Sequence, residues 1–486
     1  MGWRILFRLL DKLKILASDT LIYGLLTIVS RFLTFLLNPF FTNFLEQDEL
    51  GYVNYVSLLY AFLIVFYSFG LENAFFRFYN SSDKKKVFTS AFIFIFINLL
   101  AGLLLITNYS AEIGTWVGNS ENLSDMVFWA GFVLFFDGLM LIPFAKLRME
   151  RKKYQFAIFK LSVVVVTIII TYYLIAIEGG AGDSVFKAQT FGSAFGVLLS
   201  LGIIFNNLDF KISWGLFKDL LKYGLPTVPA SFAVLALRFG DQAMLKSMRG
   251  PEELAMYAIN YKLGLPLMMF ITSFDMAWRP YYMSTFKDEE QKDLFARVLT
   301  YFVLIACVVF LVVSLFAEYI VQVPFIGGSF INPIYWEGLD IVPMILGGYL
   351  FLGIFYYFGM GLNITKNTKY FPIAVGIAVA FNLIMNYIFI PEYGYVASAW
   401  ITVASYLISA VAIYYYSNKF YPLAYEWKRI FPLLGLTLLA FLVAENYAEH
   451  YLAKILVLLV FTASLFLFKF FSKSEIHSLK RIFTNK

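Results

Sequence analysis

Residues 298–317 read VLTYFVLIACVVFLVVSLFA, an apolar run of 20 residues that contains no charged side chain. A helix of about 20 residues crosses the hydrocarbon core of a bilayer, which is about 30 Å thick. Within that core only helices and closed barrels satisfy their own backbone groups, and a continuous apolar run indicates a helix. This segment therefore predicts a transmembrane helix.

The rest of the chain has the same character. Hydrophobic residues make up 60% of its 486 residues and charged residues 14%, and the mean hydropathy is +0.74. A soluble chain carries about a quarter charged residues. The 55 Phe and 33 Tyr residues suit lipid contact and the membrane–water boundary. Composition thus predicts an all-α polytopic membrane protein.

Apolar runs long enough to span occur fourteen times along the chain. The predicted spans are 19–41, 53–75, 87–107, 126–145, 161–177, 188–205, 223–245, 262–280, 298–317, 339–361, 371–390, 395–417, 430–446 and 452–470.

Positive charges give these spans an orientation. With the N-terminus in the cytoplasm, 30 of the 38 Lys and Arg residues fall on the cytoplasmic side, and the opposite loops hold only five. Cytoplasmic loops of membrane proteins are enriched in these residues. We therefore expect a multi-pass membrane protein with both termini in the cytoplasm. Residues 1–18 are basic and amphipathic and predict an interfacial helix rather than a cleaved signal peptide.

Several kinds of partner and site are disfavoured. One cysteine, Cys307, and two histidines give no disulfide framework and make a zinc site improbable. The basic residues sit between apolar runs, which argues against a nucleic-acid partner. The longest outside loops, 108–125 and 318–338, are too short for a catalytic domain, and no catalytic constellation is recognisable. We expect no catalytic residue, no bound metal and no cofactor.

The second half of the chain repeats the first. Three short matches occur in the same order at offsets of 200, 205 and 203 residues. They pair Tyr23-Gly24-Leu25 with Tyr223-Gly224-Leu225, 51–55 with 256–261, and Glu72–Phe75 with Asp275–Trp278. An even number of spans separates the copies, so the repeat is parallel, as in one class of secondary transporters. The predicted lobes are 19–210 (spans 1–6) and 211–418 (spans 7–12). Residues 419–486 hold two extra spans and a basic tail.

Five pieces of sequence resemble a known family, the polysaccharide-flippase branch of the multidrug/oligosaccharidyl-lipid/polysaccharide exporter superfamily. They are Asp19–Gly24 with Arg31 and Pro39, Gly51-Tyr52, Gly70–Tyr79, Tyr223–Pro226 with Asp241, and Asn382 to Asn386 followed by Ile390–Ala399. Together they cover about residues 19–417.

The resemblance implies two pseudo-symmetric six-helix lobes around a central cavity, plus the two C-terminal helices. It implies alternating access, in which an undecaprenyl-pyrophosphate-linked oligosaccharide is taken up inside and released outside for O-antigen, capsule or exopolysaccharide export. Polysaccharide polymerase and glycosyltransferases are the protein partners that such a pathway implies, and Na⁺ or H⁺ is the possible coupling ion. Within the superfamily, a lipid II flippase and a cation-coupled multidrug antiporter remain open. A polysaccharide polymerase or ligase is a remote alternative.

Ionisable side chains at membrane depth are costly and usually face a cavity or a partner. Arg31 lies near the middle of the first span, and its guanidinium fork matches phosphate oxygens. We predict a pyrophosphate contact; a structural pair with Asp137 is the alternative.

The other candidates lie close together in sequence. Arg238 and Asp241 are three residues apart, and Asp275 and Arg279 are four apart, so each pair either fixes a helix or opens as a gating or ion-coupling site. Glu72 and Arg77 near the end of the second span suggest a role at the inner mouth. The predicted substrate-binding residues are Arg31, Arg238, Arg279 and Arg77, and the predicted gating or coupling residues are Asp137, Asp241, Asp275 and Glu72.

Overall fold

The structure, a computed structural model, describes residues 29–30, 32–118, 121–209, 213–286, 291–447, 450–467 and 470–471. The predicted interfacial helix 1–18, most of the first predicted span and the basic tail from 472 onward lie outside these ranges.

Helices make up nearly all of the described chain. In order they are α1 (Leu37–Phe44), α2 (Gln47–Ser68), α3 (Leu71–Phe78), α4 (Lys84–Asn108), α5 (Ser110–Gly118), α6 (Glu121–Met149), α7 (Lys153–Tyr172), α8 (Asp183–Asn207), α9 (Trp214–Gly224), α10 (Thr227–Arg249), α11 (Pro251–Lys262), α12 (Leu265–Thr285), α13 (Gln291–Val321), α14 (Val342–Ile364), α15 (Tyr370–Phe420), α16 (Trp427–Tyr447) and α17 (Tyr451–Leu467).

Short elements complete the chain. A π-helical turn, Tyr173–Ile177, ends α7, and a 3-10 helix, Pro333–Ile341, leads into α14. Strands β1 (Pro324–Phe325) and β2 (Gly328–Ser329) form an antiparallel hairpin in the loop after α13.

The length and apolar character of the helices agree with the prediction of an all-α polytopic membrane protein. In the described ranges, ten helices are long and apolar enough to cross a membrane, and the bent pair α11–α12 makes up to eleven. Helix α15 alone contains the eleventh and twelfth predicted spans, and the 17-residue α17 corresponds to the fourteenth. The fold class is confirmed.

Two predicted span boundaries differ from the helices that the structure shows. Phe69 and Gly70 have positive φ angles of 50° and 66°, and they end α2 so that Glu72 and Arg77 lie on a separate short helix. Taken together as one span, α11 and α12, which are bent by 51°, start the eighth span at Pro251 rather than at 262. Lys262, where the predicted span 262–280 begins, is the last residue of α11 and lies at that bend.

The chain divides into two compact units. The first consists of Met1–Ile259, Pro324–Tyr335 and Val375–Ile401, and the second of Asn260–Val323, Trp336–Ala374 and Thr402–Lys486. This division groups residues by contact and not by sequence repeat, so the lobe boundaries near 210 and 418 stay a prediction.

Each unit has an apolar core. In the first unit, Leu71, Phe75 and Phe88 are fully buried where α3 meets α4. In the second, Trp278 stacks on Tyr357 with ring centroids 5.7 Å apart. Such aromatic pairs add stabilisation beyond the area that they bury.

Candidate functional site

The second predicted coupling carboxylate, Asp241, is almost completely buried on α10 in the first unit. Its Oδ2 accepts a hydrogen bond from the Tyr257 hydroxyl at 2.6 Å, and its Oδ1 accepts the Gln242 N–H at 2.8 Å. Arg238, on the same helix, is exposed, with its guanidinium 5.1 Å from the centre of the Phe239 ring. The structure thus links Asp241 to α11 through Tyr257.

Asp137 on α6 is held by two hydroxyl groups. Tyr60 of α2 donates to Oδ2 at 2.6 Å, and Ser193 of α8 donates to Oδ1 at 2.5 Å. The carboxylate therefore connects three helices of the first unit. Its alternative partner, Arg31, lies outside the described residues, so the pyrophosphate contact and the Asp137 pair both stay predictions.

Glu72 pairs with a residue that sequence spacing did not indicate. Its carboxylate forms an ion pair with Arg148 at the end of α6. The Arg148 guanidinium also lies 4.9 Å from the centre of the Phe76 ring, in cation–π range. Arg77, on the same short helix as Glu72, is exposed. The predicted cytoplasmic end of the first unit therefore has one exposed guanidinium, that of Arg77, and one in an ion pair, that of Arg148.

A second charged cluster lies next to this mouth. The Glu150 carboxylate forms ion pairs with Lys146 and with Lys152 and accepts a hydrogen bond from the Tyr79 hydroxyl at 2.7 Å. Burial alone would raise the pKa of Glu150, but the three hydrogen bonds to its charged form outweigh it and lower the pKa from 4.5 to about 2. Glu150 therefore organises the basic residues at the end of α6.

In the second unit, Asp275 and Arg279 form an ion pair with an N–O distance of 3.0 Å along α12. The Arg279 side chain is 58% exposed, so the pair remains open to solvent or ligand on one side. Beside it, Tyr281 stacks on Trp278 with ring centroids 5.5 Å apart. The site presents charge next to a flat aromatic surface.

Residues at the junction of α10 and α11 hold the backbone around Gly394 in place. Arg249 forms an ion pair with Glu253 at 2.7 Å, and Glu253 Oε1 accepts the Tyr395 N–H at 2.9 Å. Gly394 has φ 57° and ψ −140°, a backbone conformation that is largely restricted to glycine. The break within α15 is therefore capped by a carboxylate from α11.

The two C-terminal helices enclose an apolar groove of about 410 Å³. Lys428 and Arg429 stand at one end of this C-terminal groove, at the start of α16. Its walls are Pro432, Leu433, Gly435, Leu436, Leu439, Leu465 and Phe470. Arg429 donates to the Glu426 carboxylate at 2.9 and 3.0 Å, while Lys428 is exposed. An apolar groove with a basic end fits an amphiphile whose head is anionic.

Sequence reasoning missed the partners of these groups. Tyr60, Ser193 and Tyr257 are uncharged, so a search for ionisable residues passes over them. Arg148 lies just beyond the predicted span 126–145, so a search for ionisable residues within the spans does not include it. Across the described ranges, no group of three or more His, Cys, Asp or Glu residues could hold a metal ion.

Comparisons with known proteins bear on both the family and the fold. The model of a family described as polysaccharide biosynthesis protein matches residues 16–286. A Haemophilus influenzae protein named for the Lsg locus is 21% identical over 425 residues, which cover 84% of this chain and 93% of that protein.

Two groups of solved structures share the architecture. The lipid II flippase MurJ in an inward closed conformation superposes with a TM-score of 0.74 and 17% identity, over 92% of this chain and 99% of that chain. An inward-facing multidrug resistance transporter of the MATE family and MOP superfamily gives a TM-score of 0.64 and 13% identity, over 80% and 93% of the two chains. The chain has the all-α transporter fold of these proteins.

Proposed function

The chain belongs to the polysaccharide biosynthesis protein family, and from that membership we propose that it is a flippase for a lipid-linked oligosaccharide. The substrate is an oligosaccharide on undecaprenyl pyrophosphate, which moves from the cytoplasmic to the outer leaflet of the bacterial inner membrane. Its export supplies a surface polysaccharide: O-antigen, capsule or exopolysaccharide. The termini are cytoplasmic, and the chain transports without catalysing a covalent step.

The observation that carries this proposal is the C-terminal groove. Its apolar walls suit a prenyl chain, and the exposed Lys428 at its end suits a diphosphate. A purely polar solute would gain nothing from those walls, whereas a lipid-linked one keeps its tail in an apolar environment. The groove therefore supports a substrate that is lipid at one end and anionic near the other.

The headgroup needs compensating charge during its passage. A diphosphate carries at least two negative charges, and moving it without partners through a low-dielectric region would cost much free energy. We assign this compensation to Arg31, Arg238, Arg279 and Arg77. Asp137, Asp241, Asp275 and Glu72 act in gating or in coupling to Na⁺ or H⁺. Polysaccharide polymerase and glycosyltransferases are the expected partners in the pathway.

Complementation tests the proposal. The chain should restore polysaccharide export to a strain that lacks its oligosaccharide flippase. Gly435→Leu adds bulk to the groove at a position where no atom lies within 4 Å of a built Cβ, and it should reduce export. Gly202→Leu on α8 also faces open space and serves as the matched control. Equal export from both variants at equal protein levels would show that the groove does not hold the substrate. Failure of the unmodified chain to restore export would refute the proposed substrate.

A second candidate substrate is lipid II. The fold is shared with a lipid II flippase along almost the whole length of both chains. Rescue of a strain depleted of its lipid II flippase, without rescue of polysaccharide export, would favour this reading.

A further inference from the structure

Helices α2 and α10 pack side by side in the first unit, and at one end Gly51 of α2 meets Pro251, the first residue of α11, which directly follows α10. A Cβ at Gly51 would lie 1.9 Å from the carbonyl oxygen of Pro251. Real Cβ atoms are not found so close to a backbone atom, so only glycine permits this contact. Beside it, Gln47 Nε2 donates to the Glu252 carbonyl oxygen at 3.2 Å. We call this contact the outer closure.

The outer closure is braced from both sides. Pro251 lies between Arg249 and Glu253, whose ion pair is anchored to the break in α15 through the Tyr395 N–H. On the other side, the Lys246 ammonium donates to the Val117 carbonyl oxygen at the end of α5. The backbone of Pro251 is therefore held in place by charged groups on two neighbouring helices.

A second glycine contact lies at the opposite end of this pair, between the turn that follows α2 and Gly224, the last residue of α9, just before α10 begins. Gly70 follows α2 with φ +66°, and a Cβ there would lie 2.3 Å from the Gly224 carbonyl oxygen. A Cβ at Gly224 would in turn lie 2.7 Å from the Phe69 carbonyl oxygen. Across this contact, Asn73 Nδ2 donates a long hydrogen bond to Thr227 Oγ1 at 3.4 Å. We call this contact the inner closure.

We infer that the inner and outer closures are the two gates of the transport cycle, and that the inner one opens first from the state seen here. This rests on the proposed function as an alternating-access transporter. Helices are stiff, so tilting α10 against α2 separates one end while the other stays in contact. Opening the outer gate breaks the charge-assisted hydrogen bond from Lys246 to Val117 of α5 as well as the Gln47 bond, whereas opening the inner gate breaks one long neutral bond.

Disulfide trapping tests whether the two contacts open. Asn73→Cys with Thr227→Cys reports the inner closure, and Gln47→Cys with Glu252→Cys reports the outer one. The native Cys307 is fully buried and does not compete. A protease site after Gly179, where a built Cβ meets no atom within 4 Å, separates the two partners of each pair on a non-reducing gel.

Single methyl groups then bias the equilibrium in opposite directions. Gly224→Ala should slow crosslinking of the inner pair about tenfold or more, because overpacking of this kind shifts a two-state equilibrium by such a factor. It should leave the outer pair crosslinked as fast as before. Gly51→Ala should do the reverse, and Gly202→Ala, which meets open space, should change neither rate.

The outcomes separate the gate proposal from the substrate proposal. If both pairs crosslink at unchanged rates in both glycine variants, the contacts are not gates and the inference is wrong. If crosslinking the inner pair leaves export unaffected in the complemented strain, that contact is permanent, and the inference also fails. If the two glycine variants shift crosslinking in opposite directions but the chain does not restore export, the gate proposal stands and only the proposed substrate is refuted. As controls, export by each single-cysteine variant should not respond to the oxidant.

Discussion

Replacing Gly394 with alanine puts a methyl group into the capped break of α15. The new Cβ would lie 1.8 Å from Glu253 Oε1, so the carboxylate would have to move. Holding a non-glycine residue in this backbone region costs about 1–3 kcal/mol. Loss of the charge-assisted hydrogen bond from the Tyr395 N–H costs about 1.5–3 kcal/mol more. We expect Gly394→Ala to lower the free energy of unfolding by about 2.5–6 kcal/mol, the sum of these two contributions.

The assay is denaturation of the purified protein in mild detergent, followed by tryptophan fluorescence. Gly376→Ala is the matched control on the same helix, since nothing lies within 4 Å of its built Cβ, and alanine there should be neutral or stabilising by up to about 1 kcal/mol. Adding Glu253→Ala to Gly394→Ala removes the clash but not the strained φ, so it should not restore full stability. If Gly394→Ala and Gly376→Ala are equally stable, the reasoning about this break is refuted.

Three further predictions concern charged groups. With Arg, Lys or Ala at position 31, export should fall in that order, because lysine keeps the positive charge but loses the bidentate hydrogen bonds of the guanidinium. Recovery of export in the double variant Arg31→Ala with Asp137→Ala would instead identify a structural pair. Asp241→Asn or Asp275→Asn should abolish ion-gradient-dependent transport while substrate binding persists, and unchanged transport in both variants would assign the two carboxylates a structural role. Because the pKa of Glu150 is lowered from 4.5 to about 2, its charged form contributes stability that is complete above pH 4.5 and is lost as the pH falls toward 2. Glu150→Gln should remove that part of the acid dependence in detergent unfolding curves, and an unchanged pH profile would contradict it.

The sequence allowed the helical class to be predicted because a bilayer imposes long apolar runs. It separated the predicted spans 371–390 and 395–417 at the break near Gly394, but it ran the second span through the break at Phe69 and Gly70. Phe69 is not a glycine, and no local pattern marks its positive φ angle. The eighth span was predicted to begin at Lys262, but α11 precedes it and leads into α12 with a bend of 51°.

Candidate site residues were found where charge alone identifies them. Asp137, Asp241, Asp275 and Glu72 stand out in an apolar sequence. Their partners were harder to predict, since Asp137 and Asp241 are satisfied by hydroxyl groups and Glu72 by a residue 76 positions away. Sequence spacing indicates pairs within one helix, such as Asp275 with Arg279, and is silent about contacts between helices.

Reconstitution tests the central claim most directly. The purified protein is placed in liposomes with an undecaprenyl-pyrophosphate-linked oligosaccharide that carries a label on its glycan, and an impermeant reagent measures how much glycan reaches the outer face. The account predicts that the inner-leaflet glycan becomes accessible in liposomes containing the protein. It also predicts that oxidation of the Asn73→Cys/Thr227→Cys variant stops this exposure and that reduction restores it. Exposure no faster than in protein-free liposomes would contradict the account.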